Sequence, residues 1–275
     1  MKRRDFIGFS GVALYGTATS RSFFELPEQN EKWEPDGRGS LARIGILTPD
    51  FDPVPESEIK AMAPQGISVH SSRVKYTRNN PSSFAEFPTI DNATALLTAM
   101  KLTTILYGFT SSSYTLGIQA EEQLIERLHK LTGGIPVILT CKAAIEAFRK
   151  FNAHKIALIH PPWFSDAVNA KGKTYFESHG FEVAFCNQLT PLRDFTEVEP
   201  LELYEWVKKN VPGQSDVIFI GGNGLRTAGA ISRLENDLKK PVLTANQVLL
   251  WAALGLIGAT SRVKNYGRIF QNAGK

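Results

Sequence analysis

The chain has 275 residues, 43% of them hydrophobic and 21% charged, with a formal net charge of +4. That is the composition of a globular protein able to bury one substantial core or two smaller ones, which excludes disorder and fibre. No basic stripe recurs with interleaved aromatics, so a nucleic-acid surface is not indicated.

The N-terminus sets Lys2-Arg3-Arg4 before a mildly apolar stretch over 6–18 and small residues at 18–20. This is the layout of a twin-arginine export signal. It predicts a periplasmic or otherwise exported protein, with a cytoplasmic one as the alternative. The stretch is too short and too interrupted for a transmembrane helix, so no stable membrane anchor is expected. Residues 21–40, punctuated by Pro27, Pro35, Gly37 and Gly39, read as a linker.

Beyond the linker, short apolar or β-branched runs alternate with segments of helical periodicity, which implies parallel strands joined by crossover helices. Strands are expected at 43–47, 68–74, 104–107, 137–139, 155–159, 182–186, 216–220 and 242–244. Helices are expected at 120–131, 142–151, 167–179, 201–209 and 227–238. The runs Ile156-Ala157-Leu158-Ile159 and Val217-Ile218-Phe219-Ile220 are continuous apolar stretches, as strands buried on both faces should be.

Doubly wound sheets place ligands at the carboxyl ends of their strands, so the strand-end loops are where chemistry is expected. The first strand ends in Thr48-Pro49-Asp50-Phe51-Asp52-Pro53, where Asp50 or Asp52 is a candidate base or positioning group, or a turn former before proline. The third ends in Gly108-Phe109-Thr110-Ser111-Ser112-Ser113-Tyr114, whose run of hydroxyls exceeds what an N-cap needs and suits a carboxylate. Cys141 opens a helix, where the dipole favours a thiolate; a buried thiol at a helix start is the competing reading.

His160-Pro161-Pro162-Trp163-Phe164-Ser165-Asp166 holds a histidine and a tryptophan at the end of the fifth strand, because the prolines delay the next helix. Gly221-Gly222-Asn223-Gly224 lets backbone donors approach a ligand closely. As a dinucleotide fingerprint it is weak, since Thr227 stands where the third glycine belongs. The two cysteines, Cys141 and Cys186, fall in different halves and have no metal-ligand spacing, which predicts separate thiols and no structural metal.

Taken together these loops resemble the aspartate/glutamate racemase superfamily, in its maleate cis-trans isomerase and arylmalonate decarboxylase branch. The likeness rests on Arg43-Ile44-Gly45-Ile46-Leu47-Thr48-Pro49, the Thr110-Ser111 loop, Gly134-Ile135-Pro136, the 215–224 stretch and Pro241-Val242-Leu243-Thr244-Ala245-Asn246 followed by Trp251. It implies an α/β fold of two pseudo-symmetric Rossmann-like (flavodoxin-like) lobes with parallel sheets and the active site between them. The lobes would comprise 41–151 with 249–275, and 152–248.

It further implies a cofactor-independent isomerase, racemase or decarboxylase that takes a small carboxylic acid through an enediolate-like intermediate, with no metal. A homo-oligomer is compatible with it. By the same resemblance the positions of the family's two cysteines fall at Phe109 and Gly222, so both thiols are absent. The proton-carrying role then passes to His160, Asp52 or Ser112. Thr110, Ser111, Ser113, Gly222, Asn223, Gly224, Trp163, Asn246 and Pro49 are the expected substrate contacts. The rival reading is an exported carboxylate-binding protein without turnover.

Overall fold

The computed structural model describes residues 38–77, 79–190 and 197–271; the expected export signal and most of the linker lie outside them. The elements run β1 (Ala42–Pro49), α1 (Val54–Met62), β2 (Ile67–Val74), α2 (Thr89–Thr98), β3 (Thr104–Tyr107), α3 (Thr110–Leu131), β4 (Val137–Leu139), α4 (Thr140–Lys150), β5 (Lys155–His160), α5 (Asp166–Ser178), β6 (Glu182–Gln188), α6 (Pro200–Asn210), β7 (Val217–Ile220), α7 (Ile231–Leu238), β8 (Val242–Thr244) and α8 (Ala245–Gly255). They form two four-stranded sheets of matching order, β2-β1-β3-β4 and β6-β5-β7-β8. Every pairing is parallel.

The strands β1, β3, β5 and β7 are buried nearly throughout, which is why 156–159 and 217–220 read as uninterrupted apolar runs. The helix expected from 120 starts instead at Thr110. Its backbone breaks at Gly117 (φ 73°, ψ 176°), so the hydroxyl run forms a first segment and the amphipathic stretch a second. Three helices escaped the sequence reading: α1, short and bracketed by prolines; α2; and α8, whose buried face spans nearly its whole circumference and leaves no polar stripe.

The two halves share a core. One apolar cluster joins Ile44, Ile46 and Leu106 to Ile156, Leu158, Phe219 and Leu243. From α4, Phe148 sets its ring against Phe176, Phe181 and Phe219 at centroid distances of 5.4, 5.1 and 5.6 Å. In return α8, which follows the last strand of the second sheet, packs on α1 and α4. Cys141 and Cys186 are free thiols, as their placement in different halves predicts. No helix among the described residues is long and apolar enough to cross a membrane.

Candidate functional site

The carboxyl ends of β1, β3, β5 and β7 converge on a small pocket of about 40 Å³ lined by Pro49, Phe51, Asp52, Phe109, Thr110, Ser111, Trp163, Phe164, Gly222, Asn223 and Gly224. An adjoining cavity of about 360 Å³ shares Phe51, Phe109, Ser111, Trp163 and Phe164 and adds Tyr76, Pro81 and Val168 among its walls. The smaller pocket, where the donor loops meet, thus opens beside a wider aromatic one. Phe109 is held there by rings on both sides, Tyr76 at 5.1 Å and Phe84 at 4.8 Å.

Asp52 is the titratable residue among those lining the smaller pocket. Its Oδ1 accepts from the Val54 N–H at 3.0 Å. Its Oδ2 lies so near Gly224 that a Cβ there would come within 2.7 Å of it. Only 5% of the residue is exposed. Burial lifts its carboxyl from the ordinary 3.8 to about 6, against the pull of the Val54 N–H and the Arg73 charge.

The donor loops face each other, and part of each donor set is spent on the other. Thr110 donates from its backbone N and its Oγ1 to Asn223 Oδ1, at 2.9 and 2.6 Å. The Gly222 N–H donates in turn to Thr110 Oγ1 at 3.2 Å. Asn223 Nδ2 donates to Thr140 Oγ1 and Asn246 Oδ1, at 3.2 and 3.0 Å. The backbone N–H groups of Ser111, Asn223 and Gly224, with the Ser111 hydroxyl, have no acceptor among the described residues, and all three residues line the pocket. They are the donors left for a bound oxyanion.

Of the expected contacts the structure therefore gathers Pro49, Asp52, Thr110, Ser111, Trp163, Gly222, Asn223 and Gly224 around one pocket. The others lie behind it. Ser112 is fully buried with its Oγ 2.6 Å from the Tyr107 hydroxyl, because α3 turns it toward the first sheet. Ser113 packs beneath the helix beside Glu121 and Cys141. Asn246 belongs to a buried relay described below.

His160 is buried as well, its Nε2 3.3 Å from the Tyr114 hydroxyl and its ring against Phe164. Burial lowers its pKa from 6.5 to about 4, so it stays neutral near pH 7 and stands behind the pocket rather than in it. The unfolded chain takes up this proton near 6.5 and the folded chain only near 4. Acidification across that window is therefore expected to cost roughly 3 kcal/mol of stability through this residue. Urea unfolding of the wild type and His160→Gln at several pH values measures it. A difference between the two that does not change with pH would contradict the assignment.

Neither cysteine reaches the pocket. Cys141 points its Sγ at the Thr110 carbonyl, 3.8 Å away, and complete burial pushes its thiol well up, overriding the helix start. Cys186 is pushed up to about 11, again mainly by burial. At position 222 the backbone has φ +87°, and a Cβ would lie 2.2 Å from Pro161 Cγ. Among the described residues no group of three or more His, Cys, Asp or Glu is placed to hold a metal ion.

Sequence reasoning missed Glu58, a buried acid on α1 that binds the second donor loop. A signal was present: Val54, Glu58 and Met62 fall on one face at i, i+4 and i+8, so a carboxyl interrupts an apolar stripe.

A family model described as arylmalonate decarboxylase matches residues 49–270. The curated maleate isomerase of Alcaligenes faecalis is 25% identical over 244 residues, covering 82% of this chain and 95% of its own. The crystal structure of a cysteine-to-alanine variant of the maleate isomerase Iso from Pseudomonas putida S16 with maleate superimposes with a TM-score of 0.77 at 22% identity, over 84% of this chain and 98% of that one. A mutant of the Nocardia farcinica maleate cis-trans isomerase with a covalently bound succinylcysteine intermediate gives 0.76 at 18% identity, over 85% and 99%. At these identities the solved structures establish the fold: paired parallel sheets with flanking helices.

Proposed function

The chain belongs to the arylmalonate decarboxylase family, and from that premise we propose that it decarboxylates a small malonate-type acid carrying an aryl or other bulky apolar substituent, without a cofactor and without a thiol. The observation that carries this reading is Asp52. It is a carboxyl raised to about 6, set in the same pocket as the unspent N–H donors of Ser111, Asn223 and Gly224. Relatives named maleate isomerases support a small carboxylic acid as the substrate class. The aromatic cavity beside the pocket favours a substituent larger than maleate carries.

In this reading one substrate carboxylate sits on the Ser111 hydroxyl and the free N–H groups. The bond between the α-carbon and the other carboxylate breaks, carbon dioxide leaves, and the electron pair spreads into an enediolate on the retained carboxyl. Charge grows where the N–H donors point, so they bind the intermediate more tightly than the substrate. Asp52, protonated, delivers its proton to the α-carbon and is reprotonated from solvent. Isomerisation of maleate requires transient addition to the double bond, for which Phe109 and Gly222 offer no nucleophile; decarboxylation requires charge stabilisation and one protonation. That difference ranks decarboxylation first.

The test is consumption of phenylmalonate with release of carbon dioxide, beside maleate and amino acids. Because Asp52 must enter protonated, kcat/KM is expected to fall as pH rises through about 6. A kcat/KM that rises through the same window would make the working form of Asp52 the carboxylate and sink the proton-donor role. Conversion of maleate faster than phenylmalonate would return the assignment to isomerase.

A further inference from the structure

Glu58 is 8% exposed and has no cationic partner among the described residues, a costly way to bury a carboxyl unless its hydrogen bonds are needed. Four donors converge on it. The backbone N–H of Thr227 and of Ala228 reach Oε1, the second at 2.7 Å, and Thr227 Oγ1 and Asn246 Nδ2 reach Oε2 at 3.1 and 3.0 Å. The first two come from the loop that follows Gly224, and Glu58 itself sits on α1, which follows the Asp52 turn in sequence.

Burial pushes the Glu58 carboxyl up and these donors pull it back, and the oxygens that receive them act as acceptors. Asn246 must turn its Nδ2 toward Glu58, which leaves its Oδ1 to accept from Asn223 Nδ2. Asn223 is thereby oriented with Oδ1 toward Thr110, the direction needed to accept from both the Thr110 N–H and its hydroxyl. With its proton so committed, Thr110 Oγ1 presents a lone pair to the Gly222 N–H. Backbone groups agree with this order along the relay, since the Thr110 and Gly222 N–H groups can only donate and the Asn223 carbonyl can only accept. The bond from Asn246 Nδ2 to the Asn223 carbonyl, 2.9 Å, holds the backbone of the same loop.

We propose that Glu58 is the positioning residue of this site: by accepting from the Thr227 and Ala228 N–H groups and from Asn246 it holds the loop that carries Asn223 and Gly224, and so aims their unspent N–H groups into the pocket. Glu58 touches no substrate. The inference rests on the pocket being a carboxylate site, as proposed above, and goes beyond it by naming what orients the donors. Thr110 becomes a latch between the loops, with Ser111 the hydroxyl left for the ligand.

The test is Glu58→Gln with Glu58→Ala beside it. Gln keeps an oxygen for the Thr227 and Ala228 N–H groups but sets its amide nitrogen against the Asn246 amide nitrogen, donor against donor, whereas Ala removes both acceptors. Three readouts are taken: phenylmalonate affinity by calorimetry, its turnover, and hydrogen exchange of the Asn223 side-chain amide.

Glu58→Gln is expected to weaken phenylmalonate binding about tenfold and to lower kcat by more than it raises KM. Glu58→Ala should lose more of both, and in each variant Asn223 exchange should quicken. Glu58→Gln with unchanged affinity and exchange overturns the proposal. So does a Glu58→Ala protein that melts earlier yet binds phenylmalonate and exchanges Asn223 as the wild type does, which would leave Glu58 a mere fastener between the two halves. If the wild type binds phenylmalonate without consuming it, the proposed reaction fails while affinity still reads Glu58. If it does not bind at all, the site assignment fails and the exchange readout alone judges the relay.

Discussion

Asp52→Asn is expected to lower turnover of phenylmalonate at least about a hundredfold while leaving its binding within a few-fold of wild type. The substitution keeps the shape of the side chain, and Oδ1 can still accept from the Val54 N–H. What it removes is the transferable proton, a contribution of the size usually measured for a positioned general acid. The same variant is expected to gain stability in alkaline solution. A carboxyl whose folded pKa is raised stabilises the fold at low pH, and that stabilisation is lost as pH rises through about 6. At pH 8 Asp52→Asn should therefore be more stable than wild type, by up to roughly 3 kcal/mol. Greater stability with little activity is the mark of a group retained for its chemistry. A variant that kept more than about a tenth of the wild-type rate would place the proton donor elsewhere.

Gly222→Cys, which would return a thiol to the position where the resemblance expects one, should instead damage the fold. At φ +87° a side chain strains the backbone by about 1–3 kcal/mol. Its Cβ would also lie 2.2 Å from Pro161 Cγ, in a ring stiffened by the following Pro162, and overpacking of this kind costs about 1–3 kcal/mol more. A loss of roughly 2–6 kcal/mol corresponds to a Tm about 5–15 °C lower. A Gly222→Cys protein melting with the wild type would mean that the Pro161 loop yields. If the expectation holds, the backbone and Pro161 leave no room for any side chain at 222.

Much of the architecture was readable from the residues because parallel strands buried on both faces leave an unambiguous trace. Val217–Ile220 contains nothing but apolar side chains, and Thr104–Tyr107 is as fully buried. α8 was not readable for the converse reason: a helix buried on nearly all sides lacks the polar stripe that reveals a period. The donor loops were legible as loops, from their glycines and hydroxyls. Which donors remained free was not, because the bond from Thr110 to Asn223 joins residues 113 positions apart and no local pattern encodes it. His160 shows the same limit. Its place at a strand end was correctly expected, but whether its ring faces ligand or core depends on Tyr114 and Phe164 packing onto it.

The shared core has a consequence for how a ligand enters. In a clamshell protein two independent bodies swing apart about a hinge, and the surfaces that part must tolerate water. Here such a swing would drag Phe148 out from among Phe176, Phe181 and Phe219 and strip α8 from α1, exposing apolar rings at each opening. Large breathing between the halves is thus penalised by the helices each lends to the other. Traffic to the pocket falls to its aromatic rim, where Phe51, Trp163 and Phe164 need only change rotamer, on a timescale far shorter than that of a domain swing.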